Sequence, residues 1–289
     1  MAIRVWGGGT NDHPTNDMSV ANNYSGDAVP VNGDSLIFNG VEGQTSPTAG
    51  MNTLAAVNLA ELVVTDDFTG SIGATANHLQ VNDVGSFRYS GSGAEAWFQI
   101  NGTCDVGYIL NTASGANACR LDTAGAGTIS ALYCFKGVIC LDAPISVGTL
   151  YVHYNNAPST DVGLTIAAGV FLNNVHQHGG EVSCSADFGV GIQSAGQWTQ
   201  EAGDIVEFYC YGGQLYWNAP AGTLGRAEMR GGTLIGSDDP RARTITDLYV
   251  WYGAQADLRN SAANIVVTNP VPSLGGWVWT EPGQQVTFA

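Results

Sequence analysis

Short alternations of apolar and polar residues, interrupted by glycine, run through most of the chain. They are rich in valine, isoleucine, threonine and aromatic residues, as in segments 62–64, 87–89, 205–211 and 248–252. A two-residue period is typical of half-buried β-strands, and Gly, Asn, Asp and Ser between the segments are typical of turns. No long glycine-free run has the spacing of an amphipathic helix, so the pattern predicts an all-β protein.

The alternation also repeats around glycine corners. Five segments join two alternating strands through such a corner: residues 131–141, 174–184, 205–217, 227–236 and 247–258. The corner glycines are Gly137, Gly179, Gly212, Gly231 and Gly253, at intervals of 42, 33, 19 and 22 residues. The first interval is two units of about 21 residues, which suits the coils of a repeat architecture. Glycine tolerates the positive φ that a tight corner needs.

These repeats predict a right-handed parallel β-helix, or solenoid, over residues 51–265. Residues 1–50 are expected to form an irregular arm or cap with a role in attachment. Residues 266–289, with the apolar segment 277–279, are expected to form a C-terminal cap or an inter-subunit strand. Both ends of a solenoid are sheet edges, and edges must be covered.

Alternation also sorts the side chains of each coil into an inward and an outward set. The predicted inward residues are Leu132, Cys134, Ile139, Leu141, Val206, Phe208, Cys210, Leu215, Leu248, Val250, Ala256 and Leu258. The predicted outward residues include Tyr133, Glu207, Tyr209, Tyr249 and Trp251. A ladder of outward aromatic residues indicates either a contact surface or stacking between coils, and both interpretations stay open.

The first forty residues carry a recognisable pattern. A tryptophan and glycines are followed by an Ala-Asn-Asn-aromatic-Ser element, a Val-Pro pair, and Gly-Asp before an apolar strand. The residues that carry it are Trp6, Ala21, Asn22, Tyr24, Pro30, Gly33, Asp34 and Phe38. This opening resembles β-helical surface proteins, both bacterial autotransporter-type passenger domains and virion proteins of tailed bacteriophages. The resemblance implies the architecture and says little about chemistry.

The charge composition of the chain limits the classes of molecule that the protein is expected to bind. Only 12% of the residues are charged, and the net charge is −16, with eight arginines and Lys136 as the basic residues. Nucleic acid and anionic membranes both attract basic surfaces, so neither is an expected partner. The N-terminus lacks an apolar signal-peptide segment, and no run of 18 apolar residues predicts a membrane helix. We therefore expect a chain that stays in the cytoplasm where it is made, which favours the phage branch of the resemblance over exported autotransporters.

The six cysteines are expected to be reduced core residues. They are Cys104, Cys119, Cys134, Cys140, Cys184 and Cys210, and none forms the closely spaced pair of a zinc site. A buried free cysteine behaves as a small apolar side chain. Absence of a signal sequence favours this interpretation over disulfides.

The residues that could carry chemistry have simpler explanations. Carboxylates are paired or clustered at Asp66 and Asp67, at Asp238 and Asp239, and at Glu201, Asp204 and Glu207. Polysaccharide cleavage needs two carboxyl groups beside a sugar-binding groove, whereas turns and exposed surfaces explain these groups more simply. His176 and His178 project to one face of a strand and could share a metal ion with His153, but two surface histidines are the favoured interpretation. We therefore predict no enzyme, with no catalytic, cofactor-binding or metal-binding residues.

Three functions remain. The favoured one, implied by the resemblance, is a structural virion protein, a capsid decoration or cement protein that bridges neighbouring shell subunits. Its partners would be the major capsid protein or other virion subunits, and the resemblance implies a homotrimer, assembled in the host cytoplasm and located on the virion. The alternatives are a tailspike or fibre domain that binds or cleaves host polysaccharide, with a glycan as partner, and a bacterial surface adhesin.

Overall fold

The computed structural model describes residues 1–8, 15–41, 45–93, 95–113, 117–122, 127–153, 163–236, 242–259, 265–270, 275–280 and 286–288. Over these ranges the protein is all-β, with parallel sheets that form a β-solenoid, as the sequence predicts. One 3₁₀ helix, Ala21–Asn23, is present, and none of the described residues belongs to a helix long and apolar enough to cross a membrane. The chain divides into two compact units, Met1–Gly148 with Asn156–Gly163, and Thr149–Asn155 with Leu164–Ala289.

Unit 1 contains a sheet of longer strands and a sheet of shorter strands, both parallel. The longer strands, in pairing order, are β1 (Ile3–Trp6), β2 (Ser35–Phe38), β3 (Leu59–Val64), β5 (Val84–Tyr89), β7 (Thr103–Leu110) and β9 (Thr128–Lys136). The shorter strands are β4 (Leu79–Val81), β6 (Ala96–Ile100), β8 (Ala118–Asp122) and β10 (Val138–Leu141). Phe87 and Phe98 meet edge-to-face at 5.0 Å in the core that the two sheets enclose.

Unit 2 repeats this organisation, after β11 (Ser146–Val152), which contains the boundary between the units. Its longer strands are β13 (Phe171–Gln177), β15 (Asp187–Gln193), β17 (Ile205–Cys210), β19 (Thr223–Met229), β21 (Arg243–Val250), β23 (Ile265–Pro270) and β25 (Val286–Phe288). Its shorter strands are β12 (Leu164–Ile166), β14 (Glu181–Cys184), β16 (Gln197–Gln200), β18 (Gln214–Trp217), β20 (Thr233–Ile235), β22 (Gln255–Asp257) and β24 (Trp277–Trp279). Phe188 and Trp198 bridge its two sheets at 5.2 Å.

Parallel pairing is present near both ends of the chain. β1 pairs with β2, and β2 with β3, within the residues expected to form an N-terminal arm or cap. Of the pattern residues, Trp6 packs against Tyr24 and Phe38 at ring separations of 5.4 and 6.1 Å, and all three are buried. At the other end, β24, which the sequence indicated as a capping or inter-subunit strand, pairs with β22, and β25 pairs with β23. The attachment role of residues 1–50 stays a prediction.

The longer strands from β3 to β21 depart from simple alternation at one position. In β17 the buried residues are Ile205, Phe208 and Cys210, a spacing of three and then two. The same spacing occurs in β3, β13 and β15. It also relates Leu224, Ala227 and Met229 in β19, where Glu228 is buried as well. Two consecutive residues therefore face outward before the strand resumes its alternation. The predicted inward position of Val206 is wrong for this reason, since its side chain is 60% exposed, whereas the other eleven predicted inward residues are buried.

The corner glycines lie one residue from several predicted positions, and one corner was missed. Gly180, Gly196 and Gly213 have positive φ values of 76°, 85° and 89°. They are 16 and 17 residues apart, so the predicted interval of 33 residues contains two short coils. A Cβ on Gly196 would lie 2.4 Å from the carbonyl oxygen of Gly180, so both the backbone angle and the close approach require glycine.

Buried glutamines hold the same corners from the inside. Gln177 and Gln193 are in register on neighbouring strands and are almost completely buried. The Gln193 amide nitrogen donates hydrogen bonds to the Gln177 side chain (2.9 Å), and to the carbonyl oxygens of Gly196 (3.1 Å) and Gln214 (3.0 Å). These bonds give the buried amide its polar partners, which is the condition for burying a polar side chain. The Gly196 carbonyl also accepts the backbone N–H of Gln214 at 2.9 Å.

Gly189 lies where the longer strands break their alternation. Substituting it tests whether the close approach of the two strands there requires glycine. A Cβ there would lie 2.6 Å from the carbonyl oxygen of Asn173 on the preceding coil. We expect Gly189→Ala to lower the free energy of unfolding by about 1–3 kcal/mol, because the strands must move apart. Urea denaturation measures the change. Val190→Ala is the control on the next, outward-facing position, and an equal loss in both variants would contradict the close-approach account.

Replacing Gln193 by leucine tests the buried amide. The substitution removes the donor to the carbonyl oxygens of Gly196 and Gln214 and keeps the apolar volume. We expect a loss of about 1–3 kcal/mol, because the buried Gln177 side-chain oxygen and the Gln214 carbonyl lose their donor, whereas the Gly196 carbonyl keeps the backbone N–H of Gln214. Gln214→Leu, on an exposed side chain of the adjoining corner, is the control, and denaturation curves should separate the two variants. A neutral Gln193→Leu would mean that water satisfies these carbonyl groups.

Candidate interaction surface

The outer face of the longer-strand sheet in unit 2 carries ordered columns of side chains. Tyr209, Glu228 and Tyr249 are aligned by the strand register, one residue on each of three consecutive strands. Two residues further along, the backbone hydrogen bonds of Arg230 and Trp251 to the preceding strands align a second column that begins with Tyr211. We call these six residues, together with Arg226, the aromatic ladder.

Arginines separate the aromatic rings of the ladder. The guanidinium group of Arg226 lies over Tyr209 and Tyr249, at 5.6 and 4.9 Å from the ring centroids. Arg230 lies in the same way over Tyr211 and Trp251, at 5.5 and 5.6 Å. Each such contact is worth about 0.5–1 kcal/mol at an exposed site. One face of each of these four rings is therefore covered by an arginine side chain of the same protein.

Glu228 lies between the two arginines and is almost completely buried. Its oxygens accept hydrogen bonds from Arg226 at 2.8 Å and from Arg230 at 2.7 Å. Burial opposes ionisation of this carboxyl group, but the bonds from Arg230 and Arg226 outweigh it, so the pKa of Glu228 lies below its ordinary value. The sequence prediction named the outward aromatic residues but missed the arginines, although Arg226, Glu228 and Arg230 have the two-residue spacing of a shared face.

An imidazole cluster occupies the same face at the start of unit 2. Tyr151 stacks on His176 at 5.1 Å, and His153 stacks on His178 at 5.4 Å. His176 and His178 point outward and Val175 inward, as predicted. Partial burial and the neighbouring His178 lower the pKa of both His153 and His176. Neutral imidazoles are therefore favoured here at neutral pH.

Unit 1 has a shorter arrangement of the same kind on its longer-strand sheet. Tyr108 and Tyr133 stack at 5.2 Å with ring planes 17° apart, and Phe135 lies beside Tyr133 at 6.3 Å. Arg88 lies 5.9 Å from the centre of the Tyr108 ring. Stacking between coils, one of the two interpretations left open by the sequence, is thus observed in both units.

The corner that follows β21 exposes four aromatic side chains, two of which, Tyr211 and Trp251, also belong to the aromatic ladder. Tyr252 is 85% exposed, Trp277 63%, Tyr211 50% and Trp251 38%. Trp277 is held beside this corner because its N–H donates to the carbonyl oxygen of Ala254 at 3.1 Å. We call these four residues the corner patch. Tryptophan and tyrosine in such a group, with an arginine adjacent, have the composition of a protein contact surface.

A second polar cluster, which the sequence did not indicate, surrounds Trp97 in unit 1. His78 stacks on one side of the indole at 5.2 Å, and the Arg120 guanidinium lies 4.6 Å from its centre. His78 also contacts the Asp122 carboxylate at 2.9 Å, and burial raises the pKa of Asp122. A cleft of about 320 Å³ beside Trp97 is lined by Ser71, Gly73, Ala74, Thr75, Glu95, Trp97 and Asn117.

Three of the carboxylates considered from the sequence accept hydrogen bonds. Asp67 accepts one from the Thr65 hydroxyl, which lowers the pKa of Asp67. Asp204 accepts the N–H of Thr223 at 2.6 Å, and Glu207 accepts the hydroxyl of Tyr209 at 2.6 Å. Asp238 and Asp239 lie outside the described residues. The bond of Asp204 joins two successive coils, whereas those of Asp67 and Glu207 join residues two apart in the chain.

All six cysteines are buried and unpaired, as predicted. Burial raises the pKa of Cys134 to about 12 and that of Cys210 to about 11, so these thiols stay protonated and unreactive at neutral pH. Among the described residues, no group of three or more His, Cys, Asp or Glu side chains is arranged to hold a metal ion.

Comparison with known proteins gives no relative: no protein family, no curated protein and no solved structure matches the chain.

The imidazole cluster should make stability depend on pH. The unfolded histidines titrate near pH 6.5, and the pKa values of folded His153 and His176 are lower. Below about pH 6.5 the unfolded chain therefore binds more protons, and stability falls until the folded-state pKa values are passed. Melting temperatures between pH 7.5 and 5.5 measure this loss. The loss of stability should be smaller in the His153→Gln/His176→Gln variant. If that variant has the same pH profile as the wild type, these two histidines do not cause the loss.

Proposed function

We propose that the protein is a structural virion component, a capsid decoration or cement protein that bridges neighbouring shell subunits. The observation that carries this proposal is the corner patch, where Tyr252 and Trp277 expose most of their surface. Exposed aromatic residues of this size contribute strongly to binding when a partner covers them. The major capsid protein or another virion subunit is the proposed partner, and a homotrimer on the virion, assembled in the host cytoplasm, is the proposed state.

The aromatic ladder supports a protein contact over a sugar contact on this face. A sugar ring stacks on an open aromatic face, but Arg226 and Arg230 cover one face of each of four rings in the ladder. Both arginines pair with Glu228, and 38% of the Arg226 side chain and 46% of the Arg230 side chain stay exposed. These exposed parts can contact a protein surface that covers the ladder.

A cement protein stabilises a shell by adding buried interface between its subunits. Because it binds the assembled shell and not the separated subunits, mass action shifts the equilibrium towards the intact particle. A stacked solenoid is suited to this role, since every strand of the described sheets is tied to the next coil by backbone hydrogen bonds. It therefore presents its outward side chains in fixed positions.

A polysaccharide-binding or polysaccharide-cleaving fibre domain is the alternative. The observation that favours it is the cleft beside Trp97, where Ser71, Thr75 and Glu95 supply polar groups. Both sides of the Trp97 ring are in contact with other side chains, His78 and Arg120. That covering weakens the case for stacking against a sugar, so we rank this function second.

The corner patch can be tested by rebinding. Heads depleted of the protein are mixed with the wild-type chain or with Tyr252→Ala/Trp277→Ala, and bound protein is measured after sedimentation. We expect binding to weaken about 30-fold, equivalent to about 2 kcal/mol, because two exposed anchors are removed. Phe171→Ala, which removes another exposed aromatic ring of unit 2 (52% exposed), is the control.

Three results would contradict the proposed function. The patch variant binds as tightly as the wild type while both have the same melting temperature. Depleted heads fail to take up the wild-type chain or gain no thermal stability from it. The purified protein depolymerises host surface polysaccharide, and Glu95→Gln removes this activity, which would establish the alternative.

A further inference from the structure

The imidazole cluster brings two histidines of neighbouring coils into contact. His153 follows β11, and His178 follows β13. The N–H of His178 donates to the carbonyl oxygen of Val152 at 2.7 Å, which places the two backbones side by side. Their rings stack with centroids 5.4 Å apart and planes 26° apart. His178 is exposed and His153 half-buried, so solvent reaches the pair.

The Ser194 hydroxyl lies 3.0 Å from Nδ1 of His178 and 3.3 Å from the carbonyl oxygen of Gln177. When the hydroxyl donates to that carbonyl, its oxygen accepts from Nδ1, and Nε2 of His178 then presents its lone pair to the solvent. A hydrogen bond on the far nitrogen is how proteins orient a histidine that binds a metal through the other one.

We propose that His153 and His178 form a two-imidazole binding site for a borderline divalent cation such as Zn²⁺, Ni²⁺ or Cu²⁺, with water completing the coordination. Imidazole nitrogen suits these ions, whereas Mg²⁺ and Ca²⁺ prefer oxygen ligands. The site is independent of the proposed function.

The geometry requires only side-chain movement. Two nitrogens bound to one tetrahedral Zn²⁺ at about 2.1 Å are about 3.4 Å apart. Neighbouring strands are about 4.8 Å apart, so rotation about the side-chain torsions brings the two Nε2 atoms together while the backbone stays in place. Binding would tilt the two rings out of their stack.

His176 is excluded from the site. It lies on the same face two residues before His178, but its ring packs on Tyr151 at 5.1 Å. A ligand pair on a single strand, His176 with His178, would span about 6.7 Å between Cα atoms, which is wider than the spacing between neighbouring strands. His176 is therefore a matched control for the two proposed ligands.

Calorimetric titration of the untagged full chain with ZnCl₂, repeated with NiCl₂, tests the site. We expect one ion per chain for the wild type, His176→Gln and His78→Gln, and no binding for His153→Gln or His178→Gln. Ser194→Ala should bind about tenfold more weakly, because the Nδ1 partner is lost. Zn²⁺ should raise the melting temperature of the binding variants alone. The melting transition measured without metal shows that each variant folds.

Three outcomes would overturn the proposal. The wild type shows no binding up to millimolar metal, or His178→Gln binds as tightly as the wild type. Equal loss of binding in His176→Gln and His178→Gln would replace the cross-strand pair by a pair on one strand and would overturn it as well.

Discussion

Hydrogen bonding of each strand to its counterpart one coil further on is the constraint on which the structure depends. In-register pairing at about 4.8 Å puts equivalent residues of successive coils in contact. Side chains at equivalent positions of successive coils must therefore pack against one another, and their polar groups must form hydrogen bonds within the column. The buried amides of Gln177 and Gln193 meet this requirement inside unit 2. Gly189 and Gly196 meet it where two backbones come too close for a Cβ.

The same constraint shapes the outer face. Side chains in a column have no room to lie flat on the sheet, so their rings stand against the residue one coil away. Cation–π contacts make this favourable, since Arg226 lies over Tyr209 and Tyr249 of the two adjacent coils. Along its own strand, Glu228 pairs with Arg226 and Arg230. The face is thereby ordered and nearly neutral in an acidic chain. What reaches the solvent in quantity is the corner patch, where Tyr252 is 85% and Trp277 63% exposed.

Local pattern was enough to predict the strands, the parallel solenoid, the buried cysteines and the outward direction of His176 and His178. Pattern failed where one coil depends on another. The missed corner at Gly196 follows a strand that itself contains glycine and therefore looks like a loop. Val206 is outward because the longer strands from β3 to β21 share a break in alternation that only stacking reveals. The cluster around Trp97 joins residues of three separate strands and connections, and no sequence spacing indicates it.

The central claim is that this scaffold works by presenting the corner patch to another protein of a virion. A cryo-electron microscopy map of intact particles tests it most directly. The account predicts density for the solenoid on the head surface, with the corner that contains Tyr252 against a neighbouring subunit. Density found only at the tail, or a solenoid whose corner patch faces solvent on all copies, would contradict it.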